Sequence, residues 1–300
     1  MNGAESLINA LAEHGVDACF ANPGTSEMQL VAALDKQPGI RAVLCLFEGV
    51  VTGAADGYGR MADKPALTLL HLGPGFANGI ANLHNAQRAR SPILNMVGDH
   101  ATEHLKHDAP LTSDIEGLAT PVSRTFQVSE SADRLAQTGL DALAASLHYP
   151  GSISTFVVPA DHAWTDIAPS SYQLPETQTI SVTDDTITEI GNQLKAVDNS
   201  CLFLGGHALR AEALHQAGRI AAATGCRLVT ETFFARQARG VGRVATERLA
   251  YFGEAAIEQL AGIDLMVLVG AKAPVSFFAY PNKPSVLAPQ SATELTLADA

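Results

Sequence analysis

A carboxylate, a histidine and a hydroxyl each stand where an apolar run ends. Glu48 follows the run from Ile40 to Phe47, His71 closes the run from Ala66, and Thr25 lies in Asn22-Pro23-Gly24-Thr25-Ser26 after Ala18–Ala21. Short apolar runs of this kind predict buried strands of a parallel sheet. In open α/β sheets ligands bind beyond the carboxyl ends of such strands, where helix N-termini converge. A glutamate placed there, with Leu44, Leu46, Phe47, Val50 and Val51 around it, is expected to be desolvated and to hold or share a proton. The plainer alternative is a carboxylate favoured by the dipole of the helix it heads. A histidine on the same edge suits proton transfer near neutral pH, against the alternative of a hydrogen-bonded core histidine. For Asn22–Ser26 the plain expectation is a turn with Thr25 or Ser26 capping the next helix, and the functional one adds backbone amides facing a ligand.

Other clusters carry less. His71-Leu72-Gly73-Pro74-Gly75-Phe76-Ala77-Asn78-Gly79 is neither a phosphate loop nor a dinucleotide fingerprint, because no Gly-Lys-Ser/Thr follows and the glycine spacing differs. His100, His104 and His107, with Glu103 and Asp108, have ligand types that zinc accepts, but they fall in a polar stretch without His-Glu-x-x-His and read as a solvated entrance loop. No metal ligand is assigned within the chain. Gly205-Gly206 after a strand is weak support for a nucleotide.

The elements that must position these groups alternate strand with helix: a helix ending at Gly15, strands near 18–21, 40–47, 66–71, 93–97 and 153–158, and helices near 27–36, 76–89 and 130–147, with Gly73-Pro74-Gly75 as a turn. This predicts a doubly wound α/β domain over 1–165. The Pro, Ser and Thr of 166–182 read as a linker. A second parallel α/β domain over 183–300 is expected from helices at 184–196 and 211–224 and strands at 201–204, 227–230 and 265–269, before an Ala/Ser/Thr stretch. The 300 residues are 47% hydrophobic, 17% charged and 6% aromatic, with a formal net charge of −12 and no Lys/Arg cluster expected, so nucleic acid or an anionic membrane is an unexpected partner. No apolar run has the length of a membrane span, no signal peptide is evident, and Cys19, Cys45, Cys201 and Cys226 stand singly in apolar runs; a cytoplasmic protein with reduced thiols is expected.

Phe47-Glu48-Gly49, with Ala54-Ala55-Asp56-Gly57-Tyr58-Gly59-Arg60, resembles the pyrimidine-binding domain of thiamine diphosphate enzymes of the acetolactate synthase group. The resemblance implies that Glu48 hydrogen-bonds N1′ of the cofactor's aminopyrimidine, favouring the imino tautomer that accepts the thiazolium C2 proton. It implies further that Pro23, Gly24, Gly75 and Asn78 border the cofactor. As in relatives such as benzoylformate decarboxylase, it implies that Thr25 meets the substrate carboxylate and that His71 serves the reacting centre. Acetolactate synthases tend to carry Thr-Ser-Gly-Pro-Gly where this chain has His71–Gly75, and Phe-Gln-Glu where it has Pro110-Leu111-Thr112, which speaks against acetolactate synthesis itself. The Gly-Asp-Gly…Asn that holds Mg²⁺ and the diphosphate in the family has no counterpart; Gly98-Asp99-His100 is the nearest sequence. The diphosphate domain, with its Mg²⁺, is therefore expected beyond residue 300 or in another polypeptide. The active site is expected at the interface of a homodimer or homotetramer. The implied function is a thiamine diphosphate-dependent 2-oxo acid decarboxylase or carboligase, a lyase or transferase, with FAD left open. The alternatives are a non-catalytic partner subunit and a flavin- or nucleotide-binding protein.

Overall fold

The computed structural model describes residues 1–177 and 181–299. Its chain divides into two compact units, Met1–Thr179 and Ile180–Ala300.

The first unit runs α1 (Gly3–Glu13), β1 (Ala18–Asn22), α2 (Met28–Lys36), β2 (Arg41–Leu44), α3 (Glu48–Ala62), β3 (Ala66–His71), α4 (Leu72–Ala89), β4 (Ile93–Asp99), α5 (Ile115–Ala119), β5 (Thr125–Val128), α6 (Leu135–Ser146), β6 (Ile153–Pro159) and α7 (Ala160–Trp164). Helix α1 starts where Asn2 accepts from the Glu5 amide (2.9 Å) and Glu5 accepts from the Asn2 amide (3.2 Å), a reciprocal capping box. The six strands are all parallel in the order β2-β1-β3-β4-β6-β5. Alternation along the strands divides their side chains between two faces. Leu67, Leu69, Leu94, Met96 and Phe156 pack with Leu7, Leu11 and Leu140 on one face; Leu70, Ile93, Val97 and Val157 pack with Val51, Phe76 and Leu83 on the other. Small residues let the helices close on each other. A Cβ at Gly79 of α4 would lie 2.8 Å from Thr52 Cγ2 of α3, and the Thr52 hydroxyl donates to the Gly79 carbonyl at 2.9 Å.

Three expectations change here. Strand β2 ends at Leu44 rather than Phe47. Gly73-Pro74-Gly75 is the first turn of α4 rather than a separate turn, a place where proline's missing N–H costs nothing. The expected linker is irregular but, through residue 177, packed on this unit: Ile167 donates to the Met1 carbonyl, Ser6 donates to the Tyr172 hydroxyl, and Tyr172 and Leu174 touch the core. Residues 178–180 of that expectation lie outside the described residues.

The second unit runs α8 (Asp184–Ala196), β7 (Ser200–Leu204), α9 (Ala211–Thr224), β8 (Arg227–Thr230), β9 (Glu247–Arg248), α10 (Gly253–Leu260), β10 (Leu265–Val269) and β11 (Thr293–Ala298), a parallel sheet in the order β11-β10-β7-β8-β9. The short β9, helix α10 and the edge strand β11 add to the elements expected from sequence. The chain is thus two parallel-sheet α/β units. Among the described residues no helix is long and apolar enough to cross a membrane.

Candidate active site

In the first unit the chain leaves β1 toward β2 on one side and enters β3 and β4 on the other, so the order reverses between β1 and β3. A crevice at the carboxyl ends of two such strands is the usual ligand site of an open α/β sheet. Beyond β1, Pro23 and Gly24 lead into a single 3-10 turn, Thr25–Glu27. Glu27 folds back there and its Oε2 accepts from the Gly24 amide at 2.7 Å. The same oxygen is 2.7 Å from His71 Nδ1, at the end of β3. One proton lies between Nδ1 and the carboxyl, donated by whichever holds it.

Glu27 is wholly buried, and among the described residues its Oε1 has no hydrogen-bond partner. Burial raises its pKa above the ordinary 4.5, with the Gly24 amide and His71 pulling the other way. Two glycines make the pocket for this pair. A Cβ at Gly98, which pairs with His71 across β3 and β4, would lie 1.9 Å from Glu27 Oε1, and one at Gly24 would lie 2.4 Å from the imidazole Cε1. Leu72, next to His71 and fully buried, takes a left-handed φ of 49°. Such a backbone costs about 1–3 kcal/mol in a residue with a Cβ and is held only where the surroundings impose it.

Glu48 opens α3, after an extended Phe47, and is 8% exposed. Asn78 Nδ2 donates to its Oε2 at 3.0 Å, and Gly75 comes close enough that a Cβ would lie 3.2 Å from Oε1. Asn82 Nδ2 donates to the Gly49 carbonyl at 2.6 Å and ties the same two helices. Among the described residues no hydrogen bond reaches Glu48 Oε1. The apolar surroundings expected for Glu48 are only partly present within the chain. Val51 is buried, but Leu44 (70% exposed), Leu46 (89%), Phe47 and Val50 face outward, because β2 is an edge strand with nothing beyond it.

The sheet edge therefore brings together Gly24, His71, Gly75, Asn78 and Glu48, as the sequence suggested, and adds Glu27, which it did not. The missed signal was the Gly24-x-x-Glu27 spacing, a carboxylate three residues after a turn, in position to reach back to an amide. Thr25 is exposed, and neither it nor Ser26 caps a helix; Glu27 takes the Gly24 amide instead. His100, His104 and His107 lie in the loop after β4, with ring centroids 5.4 and 5.6 Å apart in sequence, and His104 and His107 are exposed. Among the described residues no group of three or more His, Cys, Asp or Glu side chains could hold a metal ion.

In the second unit Gly205 and Gly206 stand at that sheet's own switch point, between β7 and β10, but the space beside them is filled. A Cβ at Gly205 would lie 2.5 Å from Glu231 Oε2 and 2.6 Å from the Gly270 carbonyl oxygen. Gly205 serves a close backbone approach to Gly270. Phe277 and Phe278, with Phe233, Tyr251 and Phe252, form an exposed aromatic cluster, and Tyr280 is exposed as well.

Glu27 also sets a pH dependence. Its raised pKa means that the folded chain keeps a proton that the unfolded chain releases near 4.5. Stability accordingly falls as pH rises from 4.5 through the raised value. Urea unfolding from about pH 4 to about pH 8 is expected to show the wild type losing stability relative to Glu27→Gln as pH rises; parallel profiles would contradict the assignment.

An open parallel α/β fold whose ligand edge holds two carboxylates, a histidine and close-packed glycines defines the class. Residues 1–118 match the family "Thiamine pyrophosphate enzyme, N-terminal TPP binding domain". The whole chain is 50% identical to the Mycobacterium tuberculosis protein named "Putative acetolactate synthase large subunit IlvX" and spans 58% of it. Over 68% of its length it is 26% identical to the acetolactate synthase large subunit of Lactococcus lactis, covering 36% of that protein. Its fold matches a thiamine diphosphate-dependent 4-hydroxybenzoylformate decarboxylase of Rhodococcus jostii (TM-score 0.84, 20% identity, 99% of this chain and 56% of the other). It also matches the benzoylformate decarboxylase of Polynucleobacter necessarius (TM-score 0.83, 22% identity, 99% and 55%). The chain is thus similar to the thiamine diphosphate-dependent, acetolactate-synthase-like enzymes, and residues 1–118, within the Met1–Thr179 unit, match their N-terminal domain. It spans about half the length of the relatives it matches.

Proposed function

We propose that this chain supplies the pyrimidine side of the active site of a thiamine diphosphate-dependent 2-oxo acid decarboxylase or carboligase. The observation that carries the reading is Glu48: a nearly buried carboxylate at a helix N-terminus, fixed through one oxygen by Asn78 and open at the other. That is the donor set an aminopyrimidine ring nitrogen requires, and Gly75 leaves room beside it. Thiamine diphosphate, when bound, supplies the electron sink for breaking the bond beside a carbonyl. Glu48 Oε1 would then share a proton with the ring nitrogen, and Pro23, Gly24, Gly75 and Asn78 would border the ring. His71, held at Nδ1 by Glu27, keeps Nε2 without a hydrogen-bond partner among the described residues and moves protons at the substrate. Thr25, exposed beside it, meets the substrate carboxylate.

The Glu27–His71 pair favours decarboxylation over acetolactate synthesis, because it places a proton carrier at the reacting edge. Mg²⁺ and the diphosphate belong to a part of the enzyme other than these residues. The exposed Leu44, Leu46, Phe47 and Val50 form an apolar margin beside Glu48, which supports a homodimer or homotetramer that completes the site. A cytoplasmic location fits the buried, unpaired thiols. The test is CO₂ release from a panel of aliphatic and aromatic 2-oxo acids, with thiamine diphosphate and Mg²⁺, by the longest protein that contains this chain. Release from at least one acid is expected; none from any would overturn the reading in favour of a non-catalytic subunit.

A further inference from the structure

Against the expectation of no Lys/Arg cluster in a chain of net charge −12, the segment between β8 and the end of β9 gathers Arg236, Arg239, Arg243 and Arg248. It encloses an open pocket of about 410 Å³, lined by Phe234, Gln237, Arg239, Arg243, Thr246 and Arg248. The segment is built rather than loosely draped. The Ala238 amide donates to the Leu209 carbonyl at 2.9 Å, and Val244 packs so closely on α9 that a Cβ at Gly218 would lie 2.7 Å from it. Gln237 Nε2 donates to Thr246 Oγ1 at 2.7 Å and ties the two arms together. At the tip the Arg243 amide donates to the Gly240 carbonyl at 3.1 Å, closing a turn in which Gly240 and Gly242 take φ of 129° and 77°; Arg239 and Arg243 flank that turn.

The charges are arranged for a guest. Arg248 Nε donates to the Thr232 carbonyl at 2.6 Å, and its guanidinium lies 5.5 Å from the Phe234 ring centroid, so its direction is set before any ligand arrives. Among the described residues neither Arg239 nor Arg243 has a salt-bridge or hydrogen-bond partner for its side chain. The acidic neighbour Glu247 is already occupied by Arg227, at 2.5 and 3.1 Å, and Glu231 lies beneath Gly205. Three guanidinium groups around one concavity repel one another unless an anion sits between them, and their planar forks match phosphate oxygens two at a time.

We propose that this pocket binds a small phosphorylated compound, its phosphate held by Arg239, Arg243 and Arg248 and its organic part against Phe234. The site lies wholly in the second unit and does not depend on the reading of Glu48. The test is isothermal titration of inorganic pyrophosphate into the 300-residue chain, with melting temperatures recorded for every variant. One saturable site is expected, weakened at least about tenfold in Arg239→Gln/Arg243→Gln, as the loss of charge-assisted hydrogen bonds requires. Arg243→Lys keeps the charge but loses the fork, and it too is expected to bind more weakly; this milder variant decides the matter if the double variant does not fold. Absence of saturation, undiminished binding by the folded variants, or equal affinity for succinate would overturn the proposal.

Discussion

Glu48→Gln is expected to lower turnover by about 10²- to 10⁴-fold in the complete enzyme, the range for removing a group that moves a proton in the rate-limiting step. The substitution isolates chemistry from structure. Glutamine keeps the length of the side chain and an amide oxygen to accept from Asn78 Nδ2, so the 3.0 Å bond that joins α3 to α4 has a replacement. The Thr52–Gly79 and Asn82–Gly49 links between these helices are untouched. What is lost is a carboxyl oxygen able to take and return a proton. The melting temperature of the variant should therefore stay close to that of the wild type while activity collapses. Near-normal turnover in the variant would remove Glu48 from the mechanism.

The second large effect is a loss that does not add up. Glu27→Gln and His71→Ala are each expected to reduce turnover by about 10²-fold or more. The double variant should be little worse than His71→Ala alone, because residues that act as one unit give non-additive losses. The physical basis is a single oxygen, Glu27 Oε2, that accepts from the Gly24 amide and shares one proton with His71 Nδ1. With Glu27 gone, nothing fixes the ring's tautomer; with His71 gone, Glu27 has nothing to orient. The pH dependence of turnover separates this from a merely structural role. Glu27→Gln should shift the pH profile as well as its height, whereas loose packing would lower it uniformly. Losses that simply multiply would show that the two residues act apart.

Much of the candidate site was legible in the sequence because apolar runs stop near the carboxyl ends of strands, although β2 itself ends at Leu44, before its run does. His71 and Glu48 each follow such a stop, and Gly75 and Asn78 follow at helical spacing, so the shared edge could be anticipated. Glu27 could not be placed in the same way. It sits after a turn, in a polar stretch, and its burial depends on the room left by Gly98 of β4, a contact between residues far apart in the chain. The outward-facing Leu44, Leu46 and Phe47 were misjudged for a related reason: hydrophobicity shows that a residue seeks cover, not whether its own chain provides it. The second unit's β9 and β11 are hard to read from sequence because Glu247–Arg248 is too short to show a period, and Thr293–Ala298 shows only Leu295 and Leu297 as an alternating apolar pair.

The central claim is that this sheet edge holds the aminopyrimidine of thiamine diphosphate. Its most direct test is calorimetric titration of thiamine diphosphate with Mg²⁺ into the longest protein that contains this chain. A saturable site for every copy of the chain is expected. A protein that is folded, as its melting curve would show, and yet takes up no thiamine diphosphate would contradict it.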